Sequence, residues 1–108
     1  MVKEQFGHTD SEGRILTAHP AGKQGVRISA EKYHSIRDYI FNCLLEQPGL
    51  SYKELDARAN QELKDFEGSV SWYVVTVKLD MEARGEIERI PGSRPQRIRL
   101  SHQSHRIE

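Results

Sequence analysis

The stretch from Val70 to Arg84 decides what this chain folds into, because two local signals in it conflict. Val74-Val75-Thr76-Val77 is a β-branched run, which by propensity favours a strand. Yet Val70, Val74, Val77 and Met81 recur at the spacing that stacks side chains on one helical face, and the segment is long for a strand. Gly85 also stands where a helix C-cap belongs. The reading adopted is a helix. Two short alternating runs follow it, Glu86-Ile87-Glu88-Arg89-Ile90 and Gln96-Arg97-Ile98-Arg99-Leu100. Pro91-Gly92-Ser93-Arg94-Pro95 joins them with the chemistry of a β-hairpin turn.

Upstream, Ser29 is placed as an N-cap, and Tyr33, Ile36, Ile40, Cys43 and Leu44 mark the inner face of a first helix over residues 30–46. Pro48-Gly49 ends it. Ser51-Tyr52-Lys53-Glu54 is a capping-box pattern opening a second helix, with Leu55, Ala59 and Leu63 inward and Phe66 near its end. The expected class is therefore α+β, mainly helical with a small antiparallel sheet. Three helices followed by a hairpin is the winged helix-turn-helix order, and Leu50 is placed to add a short strand beside the hairpin. The domain is expected over residues 29–101. Before it, Ile15-Leu16-Thr17 and Val26-Arg27-Ile28 read as an N-terminal extension, a candidate hairpin over 15–28. Residues 1–14 and 102–108 read as tails.

A chain of 108 residues has room for one modest core. No apolar run approaches the roughly 20 residues of a membrane helix, and Met1-Val2-Lys3-Glu4-Gln5 has no signal-like apolar core behind it, so no membrane partner and a cytoplasmic location are expected. Cys43 is the single cysteine, which rules out an internal disulfide and a thiolate zinc cluster. Sixteen basic and sixteen acidic residues cancel. From Arg84 onward, however, six arginines face three glutamates, so a polyanion would meet its cations there.

The segments His19-Pro20-Ala21-Gly22-Lys23-Gln24-Gly25-Val26-Arg27-Ile28 and Gly68 to Arg89 resemble those of an uncharacterised family of small bacterial winged-helix proteins, a domain of unknown function. The likeness spans roughly residues 15–100. More distantly, the Arg84-Gly85-Glu86-Ile87-Glu88-Arg89 passage resembles bacterial winged-helix regulators. The first family implies no particular biochemistry, while the second implies a DNA-binding or regulatory role.

Two surfaces are candidates. In the hairpin, inward Ile98 and Leu100 turn Arg97 and Arg99 outward, with Arg94 near the tip. Lys78 and Ser71 flank the third helix, and these five residues form a candidate nucleic-acid contact set. Yet the outer face of that helix carries Trp72, Val75, Thr76, Leu79 and Ala83, with no Arg, Asn or Gln to read a base. Asp80 and Glu82 would repel phosphate. Trp72, Val75 and Leu79, with Phe41 and Leu45 on the first helix, therefore form the competing candidate, a homodimer or protein interface that needs cover from residues 15–28 or from another subunit. Gly22-Lys23-Gln24-Gly25 lacks the phosphate-loop spacing and reads as a turn with positive-φ glycines. His102 and His105 are a frayed pair rather than a metal site. Cys43 is an inert core thiol. No catalytic residue, cofactor, metal or small-molecule substrate is indicated, and an enzyme is not expected.

Overall fold

The computed structural model of the chain describes residues 9–101. The conflict over residues 70–84 is resolved in favour of a helix. The elements run β1 (Arg14–Leu16), β2 (Arg27–Ser29), α1 (Ala30–Glu46), β3 (Leu50–Ser51), α2 (Tyr52–Glu62), α3 (Val70–Ala83), β4 (Ile87–Arg89) and β5 (Arg97–Leu100). Helical spacing wins over β propensity because Val74, Val77 and Met81 are each fully buried by that spacing. Strand geometry would put alternate valines in water.

Each helix begins and ends on chemistry written locally. Ser29 Oγ accepts the Lys32 N–H at 3.1 Å and Ser69 Oγ accepts that of Trp72 at 3.2 Å, each relieving an orphan donor. At α2 the capping box is complete: Ser51 Oγ accepts from Glu54 N–H, and Glu54 Oε1 accepts from Ser51 N–H. At the end of α3, Gly85 takes φ +77. Its N–H bonds to the Glu82 carbonyl while Glu86 N–H reaches that of Met81, a Schellman closure that turns the chain into β4.

The result is an α+β fold with two small antiparallel sheets. In the three-stranded sheet β5 lies between β3 and β4, with Leu50 and Arg89 both opposite Ile98 and Ile87 opposite Leu100. Ile98, Leu100 and Ile87 thereby project into the core beneath α1 and α3. The expected extension is a true hairpin: β1 pairs with β2, with Ile15 opposite Ile28. Both isoleucines join the same core as the helices, so residues 14–29 are an integral layer. Asp10 closes the turn before β1, its Oδ1 accepting the N–H groups of Glu12 and Arg14.

In the loop between β1 and β2, Gly22 has the anticipated positive φ of +76, whereas Gly25 does not. Gly25 serves close approach instead, since a methyl built there would lie 1.7 Å from the Thr17 carbonyl oxygen. Among the described residues no helix is long and apolar enough to cross a membrane. His102 and His105 lie outside the described residues.

Candidate interaction face on the third helix

The five candidate nucleic-acid residues are largely committed within the molecule. Arg97 folds back from β5, its Nη1 donating to the Gly49 carbonyl at 2.7 Å and to Glu54 Oε1 at 2.9 Å. Glu54 is thus shared between capping α2 and anchoring the hairpin. Arg99 donates across the strand pair to Glu88 Oε2 at 2.7 Å. Lys78 is 11 % exposed and pairs with Glu82 at 3.1 Å, and Ser71 Oγ accepts from Asn60 Nδ2 at 3.0 Å. Arg94 lies exposed in the hairpin loop, with no ion pair among the described residues. A cation already neutralised by a carboxylate contributes little attraction for phosphate, so one unneutralised arginine is what the expected patch offers.

Glu82 illustrates the same commitment. Burial raises its carboxyl pKa, but hydrogen bonds from Arg89 and Lys78 outweigh that and hold it below the ordinary 4.5. A depressed folded-state pKa means stability that is present in full above 4.5 and is lost as pH falls through the folded value. In denaturant titrations, Glu82→Gln is therefore expected to lower stability at neutral pH and to flatten the decline below pH 4.5. An unchanged acid limb would show that this carboxylate carries no linked stability.

Asp80 corrects the sequence reading, which had it facing outward beside Glu82. It is fully buried. Its Oδ2 accepts from Tyr33 Oη at 2.5 Å, while Oδ1 accepts the Ala18 N–H at 2.8 Å and Arg84 Nε at 2.9 Å. The physical reason is the extension. Thr17 and Ala18 run across the flank of α3, so a residue that would face water in a bare three-helix unit lies at a layer junction. Arg84 Nη2 also donates to the Leu16 carbonyl at 3.4 Å. Burial, together with the hydrogen bond to the Asp80 carboxylate, pushes the Tyr33 phenol well above its usual value, so it stays a donor. Two local signals bear on part of this site but not on its Ala18 contact: Asp80 and Arg84 are four apart, and an inward tyrosine hydroxyl needs a partner.

The outer face of α3 is phased as expected. Trp72 is 43 % exposed and Ala83 is exposed, while Val75, Thr76 and Leu79 are half-buried. What the sequence reading missed is the support behind Trp72. Its ring meets Tyr73 edge-on at 4.9 Å, and Tyr73 meets Phe66 at 5.1 Å. The Lys32 ammonium sits over both of the latter rings, 5.3 Å from Tyr73 and 5.7 Å from Phe66. Phe41 packs on the core and Leu45 is exposed. Leu45 lies near the far end of α1 from Lys32, roughly 20 Å along the helix, so it does not join the Trp72 cluster.

Cys43 is buried, and burial pushes its thiol pKa up. Arg58, a basic neighbour the sequence did not reveal, acts against that rise. The chemistry is that of a core thiol, as expected. No group of three or more potential metal ligands occurs among the described residues.

Comparison with known proteins matches no curated protein and no solved structure. The profile of one family, described as a family of unknown function (DUF6958), matches residues 14–98. That span runs from the first strand of the extension into β5, covering the buried Asp80 junction and the whole of α3. On that match, the chain is a member of the family of unknown function DUF6958.

Proposed function

We propose that this chain is a non-enzymatic protein-interaction module of winged-helix type, using the outer face of α3 as its docking surface. The observation that carries the reading is Trp72, an exposed aromatic whose ring rests edge-on against Tyr73, which is itself backed by Phe66. A large side chain that is already ordered loses little conformational entropy on binding, which is the character of an interface hot spot. Val75 and Leu79 continue the apolar surface beside it, where a base-reading helix would carry polar groups. The winged-helix assignment rests on the order α1, β3, α2, α3, β4, β5 and on β3 pairing with the inner hairpin strand.

The competing reading, weak nucleic-acid binding through Arg94, Arg97 and Arg99 with Lys78 and Ser71, is disfavoured by the internal partners of four of these five. Photo-crosslinking discriminates the two. A diazirine side chain at position 79 is expected to give protein adducts in cells, and one at exposed Gln61 on α2 none. In parallel, the intact protein is expected to give no low-salt mobility shift of long duplex DNA. A shift abolished by neutralising Arg94, Arg97 and Arg99 together, with no adducts at position 79, would reverse the assignment.

A further inference from the structure

We infer that the groove between the extension and the hairpin is a binding site for a small organic monocarboxylate. The groove has a volume of about 540 Å³, within the roughly 300–1,000 Å³ of small-molecule sites. Three separate parts of the fold wall it: His19, Pro20 and Ala21 in the loop between β1 and β2, Glu82 near the end of α3, and Ile87 and Arg89 on β4. Trp72 lies roughly 15 Å along the helix from Glu82, so binding in the groove and docking on the outer face of α3 are independent.

Two donors in the groove are unspent. His19 Nδ1 accepts the Ala21 N–H at 3.0 Å, so in the neutral ring that nitrogen bears no proton and Nε2 carries it. Nε2 has no hydrogen-bond partner among the described residues. Arg89 commits Nε to Glu82 Oε2 at 3.2 Å and Nη2 to Oε1 at 3.3 Å, a bidentate grip that leaves Nη1 without a partner among the described residues. The charges around these donors do not cancel. Glu82 is paired with Lys78 as well as Arg89, two cations on one carboxylate, while Glu88 on the rim has Arg99 to itself. One positive charge is left over.

That surplus matches a single carboxylate, whose two oxygens accept from Arg89 Nη1 and His19 Nε2. A phosphate dianion would bring a second negative charge with nothing to meet it. The rest of the lining is apolar: Ile87, almost wholly buried, forms the floor, and Pro20 and Ala21 stand exposed at the rim. An inorganic anion would leave those surfaces in water, so the ligand carries an apolar body behind its acid group.

Benzoate is the probe. In amide and imidazole spectra of the full-length protein it is expected to shift His19, Gly85 and Arg89, with a dissociation constant on the order of millimolar, as suits so small a ligand. Benzamide, of the same shape without the charge, is expected to bind at least about tenfold more weakly, and inorganic phosphate is expected not to reproduce the shifts. Arg89→Gln is expected to weaken benzoate at least about tenfold, whereas Arg94→Gln, the same loss of charge at the exposed hairpin loop, changes it by less than about twofold. The comparison of benzoate with benzamide is made on the unaltered protein, so it holds even if Arg89→Gln folds poorly. No shift at tens of millimolar benzoate would overturn the site. Equal binding of benzamide, or the same shifts from phosphate, would overturn the monocarboxylate assignment, and equal losses in the two arginine variants would overturn Arg89 as its anchor.

Discussion

Asp80→Ala is expected to destabilise the protein by about 3–5 kcal/mol, the loss that follows removal of one partner from a buried charge pair. The carboxylate is the single acceptor shared by Tyr33 Oη, the Ala18 N–H and Arg84 Nε, each on a different layer of the fold. An alanine leaves the buried phenol and the part-buried amide without their acceptor, and it deprives Arg84 of a carboxylate partner. Tyr33→Phe removes one donor and leaves the acid two others, so a smaller loss of about 1 kcal/mol is expected. Chemical denaturation followed by circular dichroism measures both. A loss under about 1 kcal/mol for Asp80→Ala would mean that the junction is incidental to stability.

Deleting every residue before Ser29 is expected to do more, and to leave a chain that does not fold on its own. The deletion removes Ile15 and Ile28, buried to 1 % and 4 % exposure in the same core as α1 and α3. Emptying one such site costs about 2–5 kcal/mol, so two of them approach the whole stability of a small domain. Loss of the Ala18 N–H from Asp80 adds to that. The measurable outcome is disordered amide shifts, red-shifted Trp72 emission and aggregation. A soluble truncated domain with native-like shifts would show that the extension is an appendage.

Much of this architecture is legible in the sequence, and the legible parts share a cause. Ser29, Ser51 with Glu54, and Gly85 act on backbone groups within three or four residues of themselves, so their roles are visible in short windows. The inward stripe of α3 was equally readable, because burial follows the helical period. The role of Asp80 was not, since its partner Ala18 is 62 residues away in sequence and no local rule reports that pairing. The wing arginines misled for the opposite reason. Alternation told correctly which way Arg97 and Arg99 leave the strand, but not that Glu54 and Glu88 wait for them. Side-chain direction is a local property, whereas availability for a ligand depends on the whole surface.

The junction between the extension and α3 also fixes an order of events during synthesis. Ala18 leaves the ribosome first, but its acceptor on Asp80 is made 62 residues later. At about 5–20 residues per second, β1 and β2 wait roughly 3–12 s for the helix that completes their seat. A two-stranded hairpin has marginal stability alone, so during that interval Ile15 and Ile28 are exposed to whatever binds apolar nascent chain. The strands of the extension are therefore made well before α3 and secured only with it, and a nascent chain stopped short of Asp80 would present them unprotected.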